Sequence, residues 1–273
     1  MSRTHCGTGT LVCFEGGDAA GKSAVAGAIA KLLQDRGLDL VLIDKKSAEG
    51  FEHPALSDRM KDLKRVLWDY PADAPLWEWG DQHWFHLIVS WFSLLDHCKI
   101  QPLLKQGKFV VLDNWFYKFA ARFLLKPEFE HHFVLSSFRH LTVPKLVVFL
   151  DVDPRRTVVR REAFSATEAG RMDGYKMGDS ADFISYQERV LERLRCFRDT
   201  GWVRIDASDK TLEELVEEAA RIVFSAANRH GETAHSGSDL GIQTWSEVPG
   251  YRRATRRRRS RENFAQCRLF EGQ

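Results

Sequence analysis

Ten residues near the start of the chain, Phe14-Glu15-Gly16-Gly17-Asp18-Ala19-Ala20-Gly21-Lys22-Ser23, constrain its fold more than any others. They complete G-x-x-x-x-G-K-[ST], a loop whose backbone N–H groups turn inward to cradle phosphates. Such a loop needs a strand before it and a helix after it. Residues 11–14 are an apolar run that reads as a buried strand, and the Ala- and Leu-rich stretch 24–33 reads as a helix. The helix N-terminus adds partial positive charge to the cradle. Gly16, Gly17, Asp18, Ala19, Ala20, Gly21, Lys22 and Ser23 are therefore the expected nucleotide-binding residues, with ATP as ligand. Lys22 is expected to reach the β/γ-phosphates and Ser23 to offer its hydroxyl to Mg²⁺.

The rest of the chain extends that unit. Apolar runs at 11–14, 40–43, 109–112, 146–150 and 202–205 read as buried parallel strands. Helical stretches lie between and beyond them, at 22–35, 55–67, 84–106, 115–125, 127–139, 154–161, 182–198 and 212–227. The alternation predicts an α/β fold, a P-loop kinase fold with about five parallel strands, helices on both faces and a lid segment. Ligands should sit at the C-terminal ends of the strands. The aromatic run 84–92 is too short for a bilayer and reads as a core helix.

Phosphoryl transfer needs more than a cradle. The strand at 109–112 ends in Asp113, which places a carboxylate at the sheet edge beside the loop, where it can act on Mg²⁺. Asp113 and Ser23 are the expected metal ligands, and Lys22 and Asp113 the first expected catalytic residues. Arg160, Arg161 and Arg171 fall in or beside a polar, Gly-containing segment, about 160–180, that reads as a lid bringing positive charge over the phosphates.

The kinase domain is expected over 1–228. Residues 229–273 read as a polar linker and an Arg-rich tail without a packed core. Residues 250–273 hold eight Arg and two Glu, a charge of +6, so the rest of the chain carries −4 against a total of +2. Residues 250–261 are a candidate contact for nucleic acid or an acidic partner, and a P-loop protein working through that tail is an alternative of another class. Five scattered cysteines with no C-x-x-C pair argue against a zinc site or a disulfide framework and fit a reducing compartment. With a polar N-terminus and no apolar run of membrane length, a cytoplasmic chain with no membrane partner is expected. A homodimer is among the expected partners.

The motifs together resemble the thymidylate kinase family of nucleoside monophosphate kinases. Phe14-Glu15-Gly16-x-Asp18-x-x-Gly21-Lys22-Ser23 matches its F-E-G-x-D-x-x-G-K-[ST], and Leu150-Asp151-Val152-Asp153-Pro154 looks like its L-D-V-x-P. Asp182-Phe183 through Tyr186, Val190 and Leu194, then Arg204-Ile205-Asp206-Ala207-Ser208, are similar to its post-lid helix and last strand. The resemblance covers roughly residues 9–228. It implies transfer of the ATP γ-phosphoryl to a nucleotide acceptor, with Asp18 meeting the acceptor.

The acceptor half departs from the family. After the strand-end Asp the family has Arg and then Tyr or His; here Asn114-Trp115 follow. The family's upstream arginine aligns loosely with Lys45-Lys46-Ser47, and its base-side Asp/Asn-Arg pair with Asp81-Gln82. The resemblance then implies Asp18, Lys46, Gln82 and Lys118 as acceptor contacts, with Arg122 as a second replacement cation. A modified nucleotide or a nucleoside is an alternative acceptor. Polyphosphate is an alternative donor, because Gly17 to Lys22 and Asp113 to Tyr117 are also similar to polyphosphate-dependent nucleotide kinases.

Overall fold

Each apolar run forms a strand, and each strand runs one or two residues past the run that announces it. In the computed structural model, which describes residues 9–71, 74–160, 164–165, 167–197 and 201–234, the strands are β1 (Thr10–Gly16), β2 (Leu40–Asp44), β3 (Phe109–Asp113), β4 (Leu146–Asp151) and β5 (Trp202–Asp206). They make one parallel sheet in the order β2-β3-β1-β4-β5. β1 lies at the centre with all seven residues buried. The chain leaves β1 toward neighbours on both sides, so the crevice at its C-terminal end is the switch point where such sheets bind ligands.

Helices cover both faces. On one face α1 (Lys22–Asp35) and α9 (Leu212–Ala234) pack on the sheet, with Val25, Ile29 and Leu33 meeting Val12, Val148 and Val223. The buried positions of α1 recur at helical spacing, as an amphipathic helix requires. The other face carries α2 (Pro54–Leu67), α3 (Asp81–Leu95), α4 (Gln101–Lys105), α5 (Tyr117–Phe123), α6 (His131–Ser137), α7 (Pro154–Thr157) and α8 (Ser180–Leu194). Its core is aromatic, with Trp91, Phe92 and Trp115 at its centre. Burying each such side chain contributes about 1.5–3 kcal/mol or more.

Two helix starts are capped by side chains at their first turns. Asp153 accepts the Arg155 N–H at 2.9 Å, with Pro154 at the first helical position. Thr211 and Glu214 cap α9 reciprocally, at 3.2 and 2.9 Å. The C-terminal boundaries differ more. The 84–106 stretch is α3, a π turn Asp96–Ile100 and α4, and 154–161 is one turn of α7 followed by the 3₁₀ turn Val158–Arg160. The helix expected to end at 227 continues to Ala234. No proline lies there to stop it, and apolar periodicity fades before the backbone does.

The chain divides into Met1–Ala234 and His235–Gln273. The second unit, with the expected 250–261 contact, lies outside the described residues. No helix among the described residues is long and apolar enough to cross a membrane.

Candidate active site

The phosphate loop joins β1 to α1. Gly16 is required there because a Cβ would lie 2.4 Å from the Leu150 carbonyl oxygen on β4. Ala19 and Gly21 both take positive φ, 59° and 89°. Left-handed residues spaced this way turn successive N–H groups to one side, making an anion-binding concavity. α1 begins with no side-chain cap, so the first-turn N–H groups stay available to phosphate oxygens. Lys22 is folded back onto the loop, donating to the carbonyl oxygens of Gly16 at 3.0 Å and Gly17 at 2.5 Å. Burial lowers its pKa, partly countered by Asp18. Ser23 is exposed at the head of α1 and Ala20 is buried behind the loop.

Asp113 ends β3 level with Phe14 of β1, which puts its carboxylate beside the loop. Among the described residues no hydrogen bond or ion pair occupies that carboxylate. A partner-free Asp near an exposed Ser hydroxyl suits Mg²⁺, which takes one or two protein oxygens and completes its shell with phosphate and water. No group of three or more His, Cys, Asp or Glu side chains able to hold a metal occurs among the described residues, so a dedicated protein cage is not what this site offers.

The densest charge network is built on Asp18, inside the loop. Lys118 Nζ lies 2.5 Å from Asp18 Oδ1, and Arg122 Nη2 lies 2.7 Å from Oδ2. Both cations come from α5, one helical turn apart, so they share a face. Gln187 of α8 completes the clamp: its Nε2 donates to Asp18 Oδ2 at 3.0 Å and its Oε1 accepts the Asp18 N–H at 3.1 Å. Lys118 is 2% exposed and Gln187 1%. Burial alone would raise the Asp18 pKa, but Lys118 and Arg122 hold it well below the usual carboxylate range. Burial takes the Lys118 pKa well below its ordinary value, against the pull of Asp18.

Behind the loop Glu15 is fully buried. Its Oε1 accepts the Trp115 N–H at 2.8 Å, and its Oε2 has no partner. Burial raises its pKa to about 7. Asn114 has φ 75°, a conformation Asn tolerates better than most residues. Its N–H donates to the Phe14 carbonyl at 3.0 Å. Asn114 is thus a buried turn residue and Trp115 a core residue.

An aromatic cavity opens next to this network. Trp68, Tyr70, Trp84, Phe119 and Tyr186 line it, with Arg122 on its wall. Gln82 is exposed and is not among its lining; Asp81, its neighbour, is. Lys46 is exposed, with its ammonium 5.3 Å from the Trp68 ring centre. The lid segment descends on the same cavity. Gln187 Nε2 donates to the Glu168 carbonyl at 2.9 Å, and Gly170, at φ 74°, abuts Tyr186 so closely that a Cβ would lie 2.7 Å from the ring. Arg171 is exposed, with its guanidinium 4.8 Å from the Trp77 ring centre. Arg160 ends a 3₁₀ turn, and its side chain is not described. Arg161 lies outside the described residues.

The structure therefore brings Asp18, Lys22, Asp113 and Lys118 together and leaves Lys46, Gln82 and Arg171 at the margin. Sequence reasoning gave Gln187 no role. Its signal was a polar residue on the buried stripe Phe183, Tyr186, Val190, Leu191, Leu194 of α8. Glu15 was visible only as a letter in the loop motif.

No family model matches the chain. It is 25% identical over 235 residues to the thymidylate kinase of Oceanobacillus iheyensis, across 81% of this chain and 92% of that protein. It is 25% identical over 214 residues to the thymidylate kinase of Danio rerio, across 77% and 87%. Among solved structures, thymidylate kinase from Candida albicans superposes with a TM-score of 0.58 at 23% identity, across 81% of this chain and 93% of that one. That likeness is one of fold.

Proposed function

We propose that this chain is a member of the thymidylate kinase family, and that it moves the γ-phosphoryl of ATP to the phosphate of a nucleoside monophosphate, with Mg²⁺. It is a nucleoside monophosphate kinase-like phosphotransferase. The observation that carries the finer reading is the convergence of Lys118, Arg122 and Gln187 on Asp18 within the phosphate loop.

The loop backbone and the head of α1 would bind the donor phosphates, and Lys22 would leave its two carbonyl partners for their oxygens. Ser23 and Asp113 would hold Mg²⁺, which neutralises phosphate charge when bound. Lys118 and Arg122 would take the acceptor phosphate in place of the strand-end arginine that Asn114 replaces. Asp18 then acts as a positioning residue: it fixes both cations beside the loop, so that donor and acceptor phosphates meet over one sheet edge. Two N–H donors of Lys118 remain after Asp18 is served. The aromatic cavity beside Arg122 would receive the acceptor base. No covalent intermediate is required, because positioning and charge neutralisation carry this chemistry.

The test is ADP release from ATP and Mg²⁺ with a panel of nucleoside monophosphates, run in parallel with polyphosphate as donor. Acceptor-dependent ADP formation is expected, and its loss in Lys22→Ala. ADP formation that no acceptor stimulates would refute the assignment. Product formed from polyphosphate alone would replace ATP as the donor.

A further inference from the structure

The far end of the aromatic cavity holds charged groups that phosphate binding does not use. Lys126, which follows α5, is buried there. Its ammonium lies 2.8 Å from Asp81 Oδ1 and 3.0 Å from Asp173 Oδ1, and donates to the Met172 carbonyl at 2.7 Å. An ammonium has three donors; the Met172 carbonyl takes one, and the two carboxylates hold its charge as ion pairs. The carboxylates are in surplus: Asp81 and Asp173 both face this one cation. Asp81 and Asp173 both line the cavity. Each has oxygen lone pairs left after Lys126 is served, since a carboxylate offers about four.

A second observation points into the same space. Tyr186 lines the cavity and is 1% exposed, and its hydroxyl, beside Asp173, has no partner of good hydrogen-bond geometry. Arg122 Nε is likewise buried without a partner on the cavity wall. A buried donor left unmatched is costly unless a ligand completes it. The inner end thus offers fixed acceptors from two carboxylates and, beside them, single donors from Tyr186 and Arg122.

A thymine edge fits this poorly. It presents one N–H between two carbonyl oxygens, so one carboxylate would gain a donor and the other would face a carbonyl and repel it. An exocyclic amino group matches the count: its two N–H groups serve the two carboxylates, and the ring nitrogen or carbonyl beside it can accept from the phenol or from Arg122 Nε. Carboxylate side chains read the cytosine amino group in this way in other settings.

We propose that the acceptor carries an amino-bearing base, cytosine or a purine, whose amino group is received by Asp81 and Asp173, and that thymine is disfavoured. This rests on the kinase reading above and names the substrate class of the same site.

Titration calorimetry of the full chain, with Mg²⁺ and a non-hydrolysable ATP analogue, compares dCMP, dAMP, dGMP and dTMP. At least one amino-bearing nucleotide should bind about tenfold or more tightly than dTMP. Asp173→Asn, with its melting transition checked, should erase that difference. Asp81→Asn serves the same purpose if the first variant does not fold. The wild-type order needs neither. dTMP binding as tightly as the best amino-bearing nucleotide overturns the proposal, as does failure of all four to bind. ADP formation is scored alongside: preferred turnover of dTMP refutes the base preference and leaves phosphoryl transfer standing. Preferential binding without ADP formation refutes the transfer and leaves the base preference standing.

Discussion

Replacing Lys118 by Met tests whether α5 supplies the acceptor-phosphate cation. Met keeps most of the stem volume of a side chain that is 2% exposed and removes only the ammonium. Breaking a buried ion pair typically costs about 3–5 kcal/mol, because it strands the remaining charge. Asp18 would not be stranded here, since Arg122 at 2.7 Å and the Gln187 amide at 3.0 Å stay on its second oxygen. Removing Lys118 also removes the burial penalty that lowers its pKa. The expected loss of stability is therefore about 1–2 kcal/mol, read from the midpoint of urea unfolding. The kinetic loss should be larger. A charged hydrogen bond to phosphate contributes about 1.5–3 kcal/mol, which at about 1.4 kcal/mol per tenfold is roughly 10- to 150-fold in kcat/KM for the acceptor. ATP hydrolysis without acceptor should change little, because donor contacts are untouched. Lys118→Arg should recover part of the loss, having charge but different reach. If Lys118→Met folds cooperatively and its acceptor kcat/KM lies within about twofold of wild type, Lys118 does not hold the acceptor phosphate.

Other outcomes follow from the same geometry. Glu15, with its pKa raised to about 7 by burial, takes up a proton on folding between its unfolded value and 7. Its contribution to stability is full below about pH 4.5 and is lost as pH rises through about 7, by up to about 3 kcal/mol. The stability difference between wild type and Glu15→Gln should therefore shift against wild type between pH 5 and 7.5 in urea unfolding; a constant difference would contradict the buried proton. Because Lys118, Arg122 and Gln187 already occupy the Asp18 carboxylate, an acceptor lacking the 3′-hydroxyl should keep its kcat/KM within about threefold, and a loss above tenfold would show Asp18 reading the sugar. Arg171→Ala should lower kcat by about 10²–10³ with little change in acceptor KM if the lid supplies the transition-state cation. An unchanged kcat would remove Arg171 from that role and leave it as the cation over Trp77.

The donor half of the site was legible in sequence because it is contiguous. Strand, loop and helix occupy residues 10–35, and each part carries its own local signal: apolar run, glycines, periodic apolar face. Asp113 was legible as well, since a carboxylate closing an apolar strand can lie only at the sheet edge. The clamp on Asp18 was not, because its partners lie 100 to 169 positions away and come from two helices. Helical spacing indicated that Lys118 and Arg122 share a face, but not that the face meets the loop. Of the Asp81-Gln82 pair aligned with the base side, the cavity is lined by Asp81. Residues 81 and 82 both open α3, and only the backbone decides that Asp81 turns to the cavity while Gln82 turns to solvent.

If α5 supplies the acceptor cations, as proposed, the strand end is relieved of that role, with a physical consequence for position 114. An arginine following Asp113 must point its side chain outward to the phosphate. Asn114 instead folds into a left-handed turn, buried, with its N–H on the Phe14 carbonyl. That turn sends Trp115 inward, where its N–H meets Glu15 and its indole donates to the Thr142 carbonyl at 3.2 Å. α5 then begins two residues later and presents Lys118 and Arg122, one turn apart, to Asp18. The buried Asn-Trp pair and the two cations on α5 that meet Asp18 thus belong to one local arrangement. It also ties the phosphate loop to α8, because Gln187 joins Asp18 to the Glu168 carbonyl of the lid segment. An acceptor phosphate using the donors that Lys118 has left after Asp18 is served would therefore bind at one end of a chain of contacts that runs through Asp18 and Gln187 to the Glu168 carbonyl.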